Sequence, residues 1–269
     1  MIADPPPTNQ VFHAIEAPTA LTVNSGLGKG PKKMQFGNII ADHPARTIYT
    51  RGLQKKVNRQ ACQKATGIVE TECLGESIIV VAAEVDPRVR RLAPQPMTFD
   101  LNTGEIFPTK SALWEALQGT RYKPWMYTPD FLFELMDGRT VFVEGRHSRW
   151  LRSNSDFSRV AAAMEQLGHR LTLVTETMFT RAHHRNLRIL RALPNRRLEP
   201  SIRKLIETQF PRCASFGQAQ RSFGLTREEV YAALFHGLLS TDLSLAPFSD
   251  RTKLVRVDCD LSHLEVLPL

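Results

Sequence analysis

The stretch Tyr127-Thr128-Pro129-Asp130-Phe131-Leu132-Phe133-Glu134-Leu135-Met136-Asp137-Gly138-Arg139-Thr140-Val141-Phe142-Val143-Glu144-Gly145-Arg146 decides the reading of this chain. Asp130 opens one apolar run, 131–136, and Glu144 closes a second, 140–143. Between them stands Asp137-Gly138, and Asp-Gly between two β-prone runs signals a hairpin. A hairpin from Thr128 to Glu144 puts the start of its first strand beside the end of its second. Asp130 and Glu144 then meet at one end of a sheet, with Arg146 beside them. Two carboxylates and a cation at one point suit a divalent metal that activates water against a phosphodiester.

Each residue also has a plainer reading. Alone, Asp130 is a turn aspartate behind Pro129, a proline acceptable at a strand start. Glu144 ends an apolar strand, where a carboxylate is costly unless it is paired or binds a cation. A salt bridge to Arg146 or Arg149 would also satisfy it. Arg146, two residues on, faces the same side if the strand continues. It suits neutralising the charge that develops at phosphorus or holding the scissile phosphate. It does not readily lose a proton, and its fork differs from a lysine's point charge. His147 and Lys123 are the other nearby groups able to orient a water. A third acidic ligand is expected from a helix beside the hairpin, where Glu70, Glu72, Glu76 and Glu84 are available. Glu72 and Glu76 lie one turn apart, and both are able to face the hairpin end.

The 269 residues are enough to bury a sizeable core, in one large or two small domains. Hydrophobic content of 42% with 23% charged residues describes a globular chain. Its 35 basic against 27 acidic residues give a formal charge of +8, which favours a polyanionic partner, nucleic acid before a membrane surface. No run approaches 18 apolar residues, so no membrane span is expected. The start, with Asp4-Pro5-Pro6-Pro7, lacks the basic and apolar regions of a signal peptide. Cys62, Cys73, Cys213 and Cys259 form no CxxC pair and match no zinc spacing, which suggests reduced thiols in a cytosolic protein.

Residues 1–45 form a basic arm carrying Lys29, Lys32 and Lys33 amid scattered proline and glycine. Residues 46–195 read as a mixed α/β domain. A helical pattern over Gly67–Glu84 repeats Leu74, Ile78, Val81 and Val85 and ends at Asp86-Pro87. Met97–Leu101 reads as a first strand, 106–126 as a mixed connection, and the hairpin follows. Asn154–Leu167 is helical and closes at Gly168. Leu171–Val174 is a short strand, and Arg181–Leu193 is a helix stopped by Pro194. Residues 196–269 read as a winged helix: helices at 201–210, 216–223 and 226–238, then a hairpin from 243–245 and 254–257. Thr226 with Glu229 makes a capping box for the third helix. A helix-turn-helix of this kind points to DNA, with a protein-binding winged helix as its alternative. Two basic groups suit phosphates or plain solvation. One is Arg146, His147, Arg149 and Arg152. The other is the stripe Arg181, Arg185 and Arg188, with Arg191 a further member, at helical spacing.

At three places the chain resembles the TnsA family of transposon endonucleases, nucleases of the PD-(D/E)xK kind. One is Leu74–Pro87 followed by Val89–Pro96, with the family's E-x-D-P exit at Glu84-Val85-Asp86-Pro87 and its Gln-Pro turn at Gln95-Pro96. The second is Tyr127–Leu132, and the third is Val143–Arg146. Leu238–Leu243 is similar to the family's closing winged-helix segment. The resemblance covers roughly residues 60–260. It implies a restriction-endonuclease-like mixed sheet flanked by helices, plus a C-terminal winged-helix domain. Counting back from Gln95, it places the family glutamate on Glu76, so Glu76, Asp130 and Glu144 would hold Mg²⁺, with Mn²⁺ able to substitute. Arg149, Arg152, Arg181, Arg185 and Arg188 would meet DNA. The implied activity is cleavage at transposon ends in double-stranded DNA, beside a DDE transposase subunit and an AAA+ ATPase regulator, in a bacterial cytoplasm at the nucleoid. The family motif carries lysine where this chain has Arg146. The alternative is therefore a TnsA-like subunit that is impaired or inactive in cleavage and serves DNA binding or assembly.

Overall fold

The computed structural model describes residue 45 and residues 57–193 and 197–269. The expected basic arm, with Lys29, Lys32 and Lys33, lies outside them apart from Ala45. Among the described residues the structure is mixed α/β with four small sheets. The first of these elements is β1 (Asn58–Ala61), paired to β2 (Ile68–Thr71). The helical pattern in the sequence extends over 67–84 as one element. Instead Ile68-Val69-Glu70-Thr71, rich in β-branched residues, alternates in burial as a strand. The helix α1 spans Leu74–Val85, capped by the Cys73 thiol, which accepts from the Glu76 N–H. Every residue of α1 from Glu76 to Val85 is buried, whereas Leu74 is exposed. A helix apolar around its circumference belongs in a core, so the expected one-sided stripe understates its burial.

After α1 come β3 (Val89–Pro94), β4 (Thr98–Asp100), β5 (Glu105–Phe107), α2 (Lys110–Ala116) and β6 (Met126–Tyr127). The hairpin is β7 (Phe131–Leu135) and β8 (Thr140–Gly145), with Phe131 opposite Val143 and Gly138 at φ +81° in the turn. Then follow α3 (Ser148–Ser153), α4 (Asp156–Gln166), β9 (Leu171–Val174) and α5 (Arg181–Arg191). The central sheet has the order β3-β7-β8-β9, antiparallel except for the parallel β8–β9 pair. Its first strand is thus Val89–Pro94, which the sequence reading missed between Asp86-Pro87 and Pro94. The expected first strand, Met97–Leu101, supplies β4 of a separate sheet, β5-β4-β6. The helix expected over 154–167 begins at Asp156, after a separate short α3.

Alternation along β7 and β8 divides the core. Phe131, Phe133, Leu135, Val141 and Val143 pack with α1 and α5, while Leu132 and Phe142 pack with Phe99 of β4 and with Phe157 and Met164 of α4. Side chains of period two on a sheet covered on both sides produce this division.

The remainder comprises α6 (Pro200–Gln209), β10 (Cys213–Ser215), α7 (Phe216–Phe223), α8 (Arg227–Phe235), β11 (Leu239–Ser240) and β12 (Lys253–Arg256). Its sheet has the order β10-β12-β11. The Thr226–Glu229 capping box is present, joined by a second at Ser215–Gln218, and Gly224 between α7 and α8 takes φ +68°. The strand expected at 243–245 is a loop. The partner of β12 is Leu239–Ser240 instead, because the carbonyls of Leu243 and Ala246 are held by the Asn186 side chain of α5 at 2.9 and 2.8 Å.

One apolar cluster runs from α1 and the central sheet through α5 into Ile206, Phe210, Val230 and Leu254. Asp86, fully buried, takes the Leu267 N–H and the Arg88 guanidinium, and Arg88 also donates to the Leu267 carbonyl. The segments on either side of residue 195 therefore share apolar packing and buried polar ties. All four cysteines are free. Among the described residues no helix is long and apolar enough to cross a membrane.

Candidate functional site

Three elements meet at the open end of the hairpin. β7 begins one residue after Asp130, β8 ends on Glu144-Gly145, and the first turn of α1 brings Glu76. Two reciprocal bonds tie the strand ends together. The Asp130 N–H donates to Glu144 Oε2 at 3.2 Å, and the Gly145 N–H donates to Asp130 Oδ2 at 2.9 Å. Gly145 lets the third carboxylate approach. A Cβ there would lie 3.6 Å from Glu76 Cγ, 3.7 Å from Asp130 Oδ2 and 2.8 Å from Ile79 Cδ1.

Of the four glutamates available, only Glu76 reaches this point. Glu70 pairs with Arg59 at 2.8 Å, and Glu84 pairs with Arg191 at 2.6 Å. Glu72 precedes the helix and gives its N–H to Glu76 Oε2 at 2.8 Å. Glu76 Oε1 stands 3.5 Å from the Cys73 thiol.

All three carboxylates are largely out of water: Glu144 is fully buried and Glu76 is 7% exposed. Burial, and then the Glu144 charge, push Asp130 from 3.8 up to about 8; Arg146 pulls the other way and Glu76 adds to the rise. Burial raises Glu144 as well, against the pull of Arg146 and the Tyr127 hydroxyl. Desolvation disfavours the charged form, and like charges at one point do the same.

Arg146 answers part of this charge. Its guanidinium contacts Glu144 Oε1, lies 3.6 Å from Asp130 Oδ2, and stands 5.5 Å from the centre of the Trp150 ring. The alternative sequence reading, a salt bridge from Glu144 to Arg146, is thus present. Arg149 and Arg152 are exposed on α3, the helix that follows directly. His147 caps α3 and sits 3.4 Å from Glu176. Lys123 is exposed in the connection before β6. Arg181, Arg185 and Arg188 are exposed along α5, whereas Arg191 turns inward to Glu84, Gln60 and the Ala61 carbonyl. The stripe of α5 therefore has three exposed members.

Two residues of the site were not singled out from sequence. The Tyr127 hydroxyl donates to Glu144 Oε2 at 2.8 Å from β6, a strand of a different sheet, so hairpin spacing gives no hint of it. Cys73 is marked only by its place three residues before Glu76, the spacing of a helix cap and its N3 position.

The donors suit a hard divalent cation in kind, being carboxylate oxygens. Glu144 Oε1 is buried and takes no hydrogen bond of regular geometry, and the cation against it is the Arg146 guanidinium. Yet among the described residues no three His, Cys, Asp or Glu side chains stand as a group able to hold a metal as placed. Arg146 lies against Asp130 and Glu144, and the Glu76 oxygens turn back toward the start of their own helix. Comparison with models of known protein families, and with curated proteins, finds no match for this chain.

Proposed function

We propose that this protein is a metal-dependent DNA endonuclease of the TnsA kind, with Glu76, Asp130 and Glu144 as ligands for Mg²⁺ or Mn²⁺. The observation that carries the reading is the convergence at Gly145 of three carboxylates, Glu76 and Glu144 buried and Asp130 13% exposed, with a single guanidinium, that of Arg146, against the pair Asp130 and Glu144. Burying three acids together is unfavourable for folding alone, and a divalent cation offsets that cost. Asp130 and Glu144 are fixed by each other's strand ends, and Glu76 by the turn that begins α1. The bound ion would supply a water of lowered pKa and stabilise charge at phosphorus. Arg146 would then leave the carboxylates and hold a phosphate oxygen, with the Trp150 ring beside it as a cation–π partner. The proposed fold is restriction-endonuclease-like, with the mixed four-stranded sheet between α1 and α4. For residues 196–269 we propose a winged helix built on α6, α7 and α8. By its resemblance the protein would act at transposon ends with a DDE transposase and an AAA+ regulator, in the bacterial cytoplasm.

One observation favours a second reading, a subunit that binds DNA or assembles the complex without cutting. Arg146 already contacts Glu144 and stands near Asp130, as a permanent countercharge would. Cleavage of transposon-end DNA by the complete complex in Mg²⁺ or Mn²⁺ tests both readings, comparing wild type, Asp130→Ala and Arg146→Lys. Wild-type cleavage that Asp130→Ala abolishes supports the endonuclease. Activity gained only with Arg146→Lys supports the second reading. Undiminished cleavage by Asp130→Ala refutes the site.

A further inference from the structure

Glu144 has two oxygens in different surroundings. Oε2 receives two donors, the Tyr127 hydroxyl at 2.8 Å and the Asp130 N–H at 3.2 Å. Oε1 receives no hydrogen bond of regular geometry and faces the Arg146 guanidinium. The Asp130 N–H is the main chain just outside the paired register, which starts at Phe131 opposite Val143, so the hairpin itself brings it beside Glu144. The Tyr127 hydroxyl is not so brought. It comes from β6, which pairs with Phe99 of β4 in the small sheet, and crosses to the end of β8 in the central one. The reach is held at its base, where Thr98 and Thr128 share a hydroxyl bond of 2.9 Å. Tyr127 is buried, so its hydroxyl has Glu144 as its hydrogen-bond partner in place of water.

A carboxylate free to rotate about its last bond turns its plane away from a cation. With one oxygen held by two donors, turning that plane would leave a tyrosine hydroxyl and a main-chain N–H without partners, at about 1–3 kcal/mol for each buried group. We infer that Tyr127 is a positioning residue: it locks the plane of the Glu144 carboxylate so that the oxygen it does not hold faces the cation between Glu144 and Asp130. This inference rests on the metal-site reading above and adds to it the residue that sets the ligand's orientation. Partners that orient a ligand in this way alter metal affinity by about 10–100-fold when removed.

The test is Mn²⁺ binding by calorimetry on the full chain at pH 8, with the apo melting temperature measured beside it. The variants are Tyr127→Phe, Tyr127→Met and Tyr122→Phe. Tyr122 is a control for generic loss of a tyrosine–carboxylate bond, because its hydroxyl donates to Asp100 Oδ2 at 2.6 Å, outside the carboxylate cluster. The expected result is saturable binding by wild type, a dissociation constant weakened about 10–100-fold in Tyr127→Phe, and an unchanged constant in Tyr122→Phe. Tyr127→Met fills the space with a flexible apolar chain and is expected to match Tyr127→Phe, so it stands in if that variant does not fold. Wild-type affinity in either folded Tyr127 variant overturns the inference. So does an equal loss in Tyr122→Phe, which would make the effect generic. Absence of saturable Mn²⁺ binding in wild type overturns instead the metal-site reading on which the inference depends.

Discussion

Asp130→Asn should stabilise the apo protein, and the gain should grow with pH. Asp130 in the folded protein titrates at about 8, against 3.8 when exposed. A carboxylate raised in this way contributes its full stability below 3.8, where both states are protonated, and that contribution is lost as pH rises through 8. At about 1.36 kcal/mol per pKa unit, the Asp130 charge costs the fold about 4 kcal/mol more at pH 8 than at pH 5. Asparagine keeps the shape and removes the charge. Its amide oxygen is able to accept the Gly145 N–H that Asp130 Oδ2 now receives. The attraction of the Asp130 charge to Arg146 is already contained in the raised pKa, so it needs no separate allowance.

For a unit of more than 200 residues, each kcal/mol moves the melting temperature by roughly 2–4 °C. The Asp130→Asn gain at pH 8 should therefore exceed that at pH 5 by about 8–16 °C in apo protein. Mn²⁺ should reverse the order. A ligand at 100 times its dissociation constant adds about 2.7 kcal/mol to wild type, and the asparagine variant should gain little. Asp130 and Glu144 interact, so the titration belongs to the pair. Glu144→Gln should show the same direction. Thermal melts across pH, with and without Mn²⁺, read all of this. Equal melting differences at pH 5 and pH 8 would refute the argument that burial and mutual repulsion strain these carboxylates.

Packing and charge set four further outcomes. Gly145→Ala brings a Cβ to 2.8 Å from the fully buried Ile79; we expect a loss of about 1–3 kcal/mol in urea unfolding, and weaker Mn²⁺ binding because Glu76 and Asp130 line the same point. Replacing Arg181, Arg185 and Arg188 together with alanine should make DNA affinity less salt-sensitive, lowering the log–log slope by about 0.9 for each phosphate no longer neutralised, read by titration at several salt concentrations; an unchanged slope would assign the stripe to solvation. Asn186→Ala should cost about 2–5 kcal/mol in chemical denaturation, because the main-chain groups of Leu243, Ala246 and Phe248 lose one buried partner together. Truncation after Leu198 should leave an aggregated or molten product by circular dichroism and sedimentation, because Asp86 loses Leu267 and the shared cluster loses Ile206 and Phe210; a cooperative melt would show that residues 1–198 close on themselves.

The parts of this fold legible in sequence were those specified by local chemistry. Asp137-Gly138 between two apolar runs marked the hairpin, Gly168 and Leu171–Val174 marked an end and a strand, and Thr226 with Glu229 marked a cap. What sequence could not give was pairing between distant segments. Val89–Pro94 contains two arginines, Arg90 and Arg91, exposed in a run without clean alternation, and its role as first strand comes from β7 beside it. Ile68–Thr71 adjoins a strong helical pattern and merges with it in sequence. The strand expected at 243–245 fits local apolar content, but Asn186, some 57 residues away, claims its carbonyl. The carboxylate pair Asp130–Glu144 was legible for the same reason as the hairpin. The residue that holds Glu144, Tyr127, was not, because its strand belongs to a sheet that no spacing connects to β8.

Arg146 is the residue on which the two functional readings part, and the charges around it constrain both. Glu76, Asp130 and Glu144 carry three negative charges if all are ionised, and Arg146 offsets one. The two that remain match one divalent cation. Without the cation the protein has another recourse, which is to hold a proton, and Asp130 at about 8 does so at neutral pH. A guanidinium against Glu144 and a proton on Asp130 together make a site that folds without metal. The same two features compete with metal: binding must expel the proton and move Arg146 from Glu144 Oε1. A permanent structural cation would be expected to lie among fixed acceptors on every side. Arg146 has the carboxylate pair and the Gly145 carbonyl, at 3.1 Å, as its acceptors, and beside them the exposed Trp150 ring. Aromatic faces hold guanidinium groups by cation–π attraction, so the ring gives Arg146 a place to go when a cation takes the carboxylates. Trp150→Ala should then weaken Mn²⁺ affinity severalfold in calorimetry although Trp150 touches no ligand. Unchanged affinity would mean that Arg146 has no such resting place, and would favour the subunit that binds without cutting.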